Sequence, residues 1–286
     1  MISVVIPVLN GADTIGQQLQ ALAEQDTDVA WEVVIADNGS TDASVAVAES
    51  FDGVLPGLRV VDASRRRGPA AARNIGVEAA RGEVLAFCDA DDIVAPGWLA
   101  AMASASTEQD FVAGGLNFDF ASLGAKLRAH DRSPAWAPCV GHFGWLKYAL
   151  GANMAVSRRA FHEVGGFVEE LHAGEDLDLS WRLQLAGYTL HYEPGALVHK
   201  RPRPSNRHTV RQHVNYGRHD VALFKRLRSS GMPRRPAAAQ VRLYGWLAVN
   251  VWRVIAGGRG RDTWLVAFAG ALGRMIGSVR YGVVYL

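Results

Sequence analysis

Within its first ninety residues the chain alternates short apolar runs with helical patterns, and few folds can absorb that alternation. The runs lie at residues 3–9, 31–36, 58–62 and 83–88, dominated by Val, Ile, Leu and Ala. Their length and composition suit strands buried on both faces. Between them, residues 14–23 place Ile15, Leu19 and Leu22 on one helical face, and residues 43–50 and 68–80 also read as helices. The order β-α-β-α-β-α-β predicts an α/β fold with a Rossmann-like, mostly parallel sheet flanked by helices. Ligands of such sheets gather at the carboxyl ends of the strands, where residues 7–10, 37–42 and 89–92 fall.

The pattern changes after residue 110. Residues 111–120 and 151–156 read as strands, and 158–164 and 175–186 as helices. Residues 188–192 and 196–199 read as two further short strands. The stretch between Leu116 and Leu150 is rich in Trp, Pro and His and reads as irregular. Past Arg201-Pro202-Arg203-Pro204 the chain becomes helical and basic. The expected division is therefore a domain over residues 1–204, itself split into halves at 108/109, and a helical extension over 205–286.

At 286 residues with 49% apolar and 20% charged content, the chain is globular and not disordered. Two cysteines exclude a disulfide scaffold, and Cys88, inside an apolar run, reads as a buried thiol in a reducing compartment. The opening Met1-Ile2-Ser3-Val4-Val5-Ile6-Pro7 reads as a first strand, not a signal peptide. Net charge is uneven. Residues 1–200 carry 14 Lys and Arg against 26 Asp and Glu, whereas residues 201–286 carry 16 against two, Asp220 and Asp262. An acidic body with a basic extension points to an anionic partner for the extension.

Asp89, Asp91 and Asp92 stand at the end of an apolar strand, where acids repel one another unless a cation lies between them. Alternating carboxylates suit a hard divalent ion, Mn or Mg, although a strand-end turn with a helix cap also accounts for these acids taken alone. Asp37 lies at the end of the second strand, where a carboxylate can accept the imide N–H of a uracil or thymine, and Asp42 reads as a helix N-cap. Arg67 and Arg73 flank the start of an Ala-rich helix and could meet a diphosphate, or with Arg65 and Arg66 form a solvated surface cluster. Glu175 and Asp176 open a helix, where acids favour the helix dipole and where one of them could also act as a general base. His199 ends a short strand and could complete a carboxylate metal site, or be structural.

Taken in order, S-V-V-I-P-V-L-N, V-I-A-D-N-G-S-T-D, G-P-A-A-A-R-N, F-C-D-A-D-D, G-A-N-M-A-V, G-G-F and G-E-D-L-D-L-S-W-R-L resemble the family 2 glycosyltransferases over residues 2–199. The resemblance implies a GT-A fold, a nucleotide-sugar donor and inversion at the anomeric carbon. It makes residues 1–108 the nucleotide-binding half and 109–204 the acceptor-binding half. By motif position it assigns Asp37 to the nucleobase and places Pro7, Asn10, Arg67, Arg73, Asp89 and Ala90 around the nucleotide sugar. It further implies that Asp91 holds the metal with Asp89 and His199 beside it, that Asp176 of the Glu175-Asp176 pair is the general base, and that Asn153 and Trp181 lie on the acceptor side. Processive members carry Q-x-x-R-W after this helix and several spanning helices. Here Trp181 and Arg182 lie within the helix, which implies one sugar added per encounter.

Residues 241–256 and 263–279 are apolar but broken by Arg242, Asn250, Arg253 and Arg274, short of the roughly 20 apolar residues a spanning helix needs. Trp246, Trp252 and Trp264 among arginines suit helices lying on an anionic membrane surface. Packing on the body of the protein or pairing in a homodimer is the other expectation, and no nucleic-acid motif is present. The functional expectation is a metal-dependent inverting transferase moving one sugar from a UDP- or dTDP-sugar to a lipid-linked or cell-envelope glycan. It would act in the cytoplasm at the inner face of the plasma membrane. Nucleotidyl transfer would need a Gly-rich loop after the first strand, which Pro7-Val8-Leu9-Asn10 does not supply. A non-catalytic nucleotide-sugar binder is the third possibility.

Overall fold

The computed structural model describes residues 1–118, 137–201, 206–256 and 258–286, and these form two compact units. The first takes in residues 1–139, 146–170 and 175–202, and the second residues 140–145, 171–174 and 203–286.

In the first unit β1 (Ile2–Val8), β2 (Trp31–Asp37), β3 (Arg59–Asp62) and β4 (Val84–Cys88) pair in parallel in the order β3-β2-β1-β4. Helices α1 (Ala12–Ala23), α2 (Ser44–Glu49) and α3 (Pro69–Ala79) connect them. Beyond β4 the sheet continues through β7 (Asn153–Ser157), β6 (Phe111–Asn117), β8 (His191–His199) and β5 (Ile93–Val94). Strand β7 runs antiparallel to both β4 and β6, so β6 and β8 point the same way as β4.

Strand periodicity divides the core. Val4, Ile6, Val33, Ile35 and Ala86 face α1, α2 and α4 (Trp98–Ala105). Val5, Val34, Leu85 and Phe87 face α3, α5 (Arg158–Glu163) and α6 (Glu175–Leu185). Because alternate residues of one strand serve opposite layers, the runs had to be apolar throughout.

Two strand readings need correction. Residues 188–192 and 196–199 are not separate strands: His191–His199 is one strand, whose pairing with β6 shifts register between Gly114 and Gly115. The polar Glu193-Pro194-Gly195 step interrupts the apolar pattern but is absorbed as a bulge. Residues 93–94, directly after the carboxylates, carry no strand pattern long enough to read. They form β5 and pair with Val198 and His199. The strand expected over 111–120 ends at Asn117. Part of the irregular 116–150 stretch, and the Pro-rich step after Arg201, lie outside the described residues.

Asp42 stands one residue before the N-cap position of α2, which Ala43 occupies, but still takes the N–H of the helix's first residue, Ser44. The same carboxylate accepts the Ala12 N–H and so ties the loop after β2 to the start of α1.

The second unit contains α7 (Asn206–Leu227), α8 (Ala237–Val249), α9 (Arg253–Ala256) and α10 (Gly258–Tyr281). Helices α7 and α10 meet through Gly217, Gly270, Gly273 and Gly277. A Cβ on Gly217 would run into the Gly270 carbonyl, and one on Gly273 into that of Val214. No helix among the described residues is long and apolar enough to cross a membrane.

At the bulge, Gly114 faces the Ala196 carbonyl and the Asn153 amide, leaving no room for a Cβ. Gly114→Ala should therefore destabilise the sheet unit by about 1–3 kcal/mol, read as a lowered urea midpoint.

Candidate active site

Parallel pairing brings the ends of β1, β2 and β4 to one edge of the sheet. The register adds the ends of β6 and β8 and the start of β7 to the same edge. Asn10, Asp37, Asp89–Asp92, Asn153 and His199 all stand there.

The centre of this edge is Arg73, on α3 and only 4% exposed. Its Nη2 donates to Asp89 Oδ1 at 2.7 Å and its Nη1 to Glu175 Oε1 at 2.8 Å. One guanidinium thus joins the end of β4 to the start of α6. Burial works against its charge, but Asp89 and Glu175 outweigh that and hold the Arg73 pKa above its ordinary value. A small residue at 151 eases its approach, because a Cβ on Gly151 would lie 3.1 Å from the guanidinium and press on it.

Gly151 also donates its N–H to Asp176 Oδ2 at 3.0 Å, and Leu177 N–H donates to Oδ1 at 2.9 Å. Farther along α6, Ser180 accepts from Ala149 N, Trp181 Nε1 donates to the Leu146 carbonyl and Gln184 to that of Lys147. One face of α6 therefore clamps residues 146–151 beside the carboxylates.

Burial pushes the Asp176 pKa up, only partly offset by the Gly151 N–H and the Arg73 charge. Glu175 is pushed up to about 7, by burial first and then by Asp176, against the pull of Arg73.

Asp89, Asp91 and Asp92 offer oxygens that all lie within 4.8 Å of one another. Lys200, directly after β8, donates from Nζ to Asp92 Oδ2 at 2.6 Å and Asp89 Oδ2 at 3.1 Å. Burial pushes Asp92, only 1% exposed, up to about 7 despite this ammonium. Asp89 moves the other way: Lys200 and Arg73 overcome its burial and lower its pKa. Among the described residues, no side chain hydrogen-bonds or ion-pairs with the Asp91 carboxylate. Three carboxylates against the Lys200 ammonium and a guanidinium that Asp89 shares with Glu175 make an oxygen donor set that fits a hard divalent ion, with Asp91 the ligand left open.

The other expected residues distribute as follows. Asp37 is partly exposed at the end of β2, and its carboxylate accepts the Ser40 N–H. Asn10, with φ 51°, accepts the Thr41 N–H at 2.8 Å, and its own N–H donates to Ser40 Oγ. Pro7 pairs with Ala36 in the sheet, and Ala90 is buried in the carboxylate turn. Arg67 is exposed on the loop before α3.

Three placements differ from expectation. The metal-ligand cluster is all carboxylate and leaves out His199, which sits 2% exposed opposite Ile93 in the sheet. Asn153 is 1% exposed, and its amide is taken up by Trp98 Nε1 and the Gly115 and Ala196 carbonyls, so it laces strands together instead of facing an acceptor. Trp181 is fully buried and braces residues 146–151 from behind. Lys200 escaped the sequence reading. A lone lysine ending an apolar strand beside His199 was its only signal.

The same architecture occurs in solved structures. A mannosyltransferase from Pyrobaculum calidifontis in complex with GDP-Man and Mn2+ superposes with a TM-score of 0.67 at 20% identity, over 96% of this chain and 86% of that one. Staphylococcus aureus TarS 1-349 with UDP-GlcNAc gives 0.58 at 18% identity, over 100% and 93%. The fold is therefore GT-A.

The glycosyl transferase family 2 model matches residues 3–165, and the glycosyl transferase family group 2 model matches residues 137–275. The chain belongs to glycosyl transferase family 2. Relatives include the pre-mycofactocin glycosyltransferase of Mycobacterium tuberculosis, 32% identical over 76% of this chain and 46% of that protein. The succinoglycan biosynthesis protein ExoU of Rhizobium meliloti is 34% identical over 62% and 55%. The chain spans about half the length of these relatives.

Glu175 has a raised folded-state pKa, so its contribution to stability is full below about pH 4.5 and is lost as pH rises towards 7. Glu175→Gln, which carries no charge at either pH, should flatten that fall, which can reach about 1.4 kcal/mol per pH unit. Urea unfolding of the two proteins between these pH values checks it.

Proposed function

We propose that the chain transfers one sugar from a nucleoside diphosphate sugar, UDP- or dTDP-linked, to a hydroxyl of a lipid-linked or cell-envelope glycan, with inversion. The observation that carries this reading is the Arg73 bridge, which puts the carboxylate cluster after β4 next to the Glu175-Asp176 pair.

Asp176 is the general base. Its two backbone N–H bonds orient the carboxylate, and burial raises its proton affinity towards that useful for deprotonating a hydroxyl. As the acceptor oxygen attacks the anomeric carbon, its proton passes to Asp176. The bond from that carbon to the diphosphate oxygen breaks, and the electron pair leaves with the diphosphate. Attack opposite the leaving group inverts the centre, and no enzyme nucleophile is needed.

A divalent cation, Mn or Mg, held by Asp91 and Asp89, would neutralise charge developing on the diphosphate. Asp37 accepts from the base, with Asn10 and Pro7 shaping that end of the site and Arg67 near the phosphates. Arg73 serves as a positioning residue through Asp89 and Glu175, not as a direct diphosphate ligand, since both carboxylates already engage its guanidinium. The donors bound by the two solved structures, GDP-Man with Mn2+ and UDP-GlcNAc, support the donor class and the cation. The name of ExoU supports a polysaccharide acceptor.

Residues 1–204 are proposed as the transferase domain and 205–286 as a peripheral membrane contact at the inner face of the plasma membrane. The extension's excess of Lys and Arg and the exposed Val249, Trp252 and Ile255 support that role. The same apolar side chains could instead meet in a homodimer.

Asp176→Asn should lower kcat about 10²–10⁴-fold with little change in KM, assayed with a panel of UDP- and dTDP-sugars and Mn or Mg present. Full activity in that variant removes Asp176 as the base. For the extension, flotation with anionic vesicles at low salt should carry the protein upward, and neutral vesicles should not.

A further inference from the structure

The helical unit holds buried hydrogen-bond donors with no acceptors to meet them, and they converge. Arg274 on α10 is 7% exposed, and its Nη1 stands 3.6 Å from Asp220 Oδ2 on α7. Tyr285, near the end of the described chain, is 1% exposed and stacks on Phe224 with ring centroids 4.6 Å apart. Among the described residues, Arg274 Nε, Arg235 Nη1, the Tyr244 hydroxyl and the Tyr285 hydroxyl are all buried without a hydrogen-bond partner.

These four atoms come from four places: α10, the connection before α8, α8 itself and the C-terminal segment. Contacts draw most of them together. Arg274 meets Asp220 on α7, and Tyr285 stacks on Phe224 one turn further along α7. Tyr285 also donates its N–H to Ser278, one turn beyond Arg274, and Arg234, next to Arg235, lies over the same Phe224 ring. The charges of Arg235 and Asp220 and the Tyr244 hydroxyl all act on Arg274, and those of Asp220, Arg235 and Arg274 act on Tyr285. Burial and the neighbouring Arg235 charge hold the Arg274 pKa down.

Two guanidinium groups face one carboxylate, so the cluster is short of one negative charge and of several acceptor oxygens. An orphaned buried donor is costly, and more so when it is charged. Four of them in one place are hard to explain as packing accidents. A carboxylate ligand offers two oxygens, whereas a phosphate offers three or four in a tetrahedral spread. Guanidinium and phenol donors arriving from separate elements match the latter.

We propose that Arg235, Tyr244, Arg274 and Tyr285, with Asp220 orienting Arg274, form a phosphate-binding site inside the helical unit. The phosphate is either free in solution or carried as a lipid headgroup, and the two sources present the same oxygens. The site is distinct from the carboxylate edge of the sheet, and its test reads binding, independent of sugar transfer.

The experiment uses the full chain and two variants, Tyr285→Phe and Tyr244→Phe. Each removes only a buried hydroxyl that has no partner, so both variants fold. Inorganic phosphate is titrated calorimetrically against chloride at matched ionic strength. In parallel, flotation compares phosphatidylcholine vesicles with and without phosphatidic acid.

Saturable phosphate binding that chloride does not reproduce, weakened about tenfold by each variant, supports a site open to free phosphate. Binding to phosphatidic acid vesicles alone, weakened likewise by both variants, supports a lipid headgroup as the source. If phosphate behaves as chloride does and vesicle binding is unchanged in both variants, the proposal is wrong. It is equally wrong if phosphate binds but neither tyrosine variant alters its affinity.

Discussion

The first unit is organised around a single buried guanidinium. Arg73 holds Asp89, at the end of a core strand, and Glu175, at the start of a helix more than a hundred residues later. A buried ion pair is a poor source of net stability, because desolvation offsets much of its attraction. Breaking one is another matter: removing the arginine would strand two carboxylates and cost about 3–5 kcal/mol. The bridge therefore acts as a positional constraint. It makes the separation between the carboxylate turn and α6 a property of one side chain's fork, which passes close against Gly151.

The remaining charges follow from that constraint. Asp89 is shared between Arg73 and Lys200, Asp92 is buried against Lys200, and Glu175 is crowded by Asp176. Each of these acids has its electrostatics largely settled within the protein. Among the described residues the Asp91 carboxylate has no hydrogen-bonded or ion-pair partner, and Asp176 is hydrogen-bonded through backbone N–H groups. A site that fixes most of its acids, leaves Asp91 open and orients Asp176 through backbone N–H groups is what the proposed displacement at an anomeric carbon would use.

Much of this was legible in the residues. Strands β1 to β4 were readable because uninterrupted apolar runs are what a sheet covered on both faces demands, and the strand ends then pointed to residues 7–10, 37–42 and 89–92. The pairing partners were not readable. Nothing local to Arg73 distinguishes it from Arg67, yet Arg73 lies on the buried face of α3 between carboxylates, whereas Arg67 stands outside the helix on an exposed loop. Lys200 carried little sequence signal of its own, and it is β8 that places it beside Asp92. Asn153 looked like a wall of the cleft, but Gly114 and the bulge in β8 draw it into the sheet. Long-range contacts of this kind depend on register, and a two-residue strand such as β5 carries too little pattern to announce itself.

The central claim is that Asp91 is the open ligand of a donor-side cation site while Asp176 belongs to the acceptor side. Manganese titration in the presence of UDP, followed by electron paramagnetic resonance, tests it without turnover. One bound ion is expected, with affinity reduced by at least about tenfold in Asp91→Asn and unchanged in Asp176→Asn. Undiminished manganese binding by Asp91→Asn contradicts the claim.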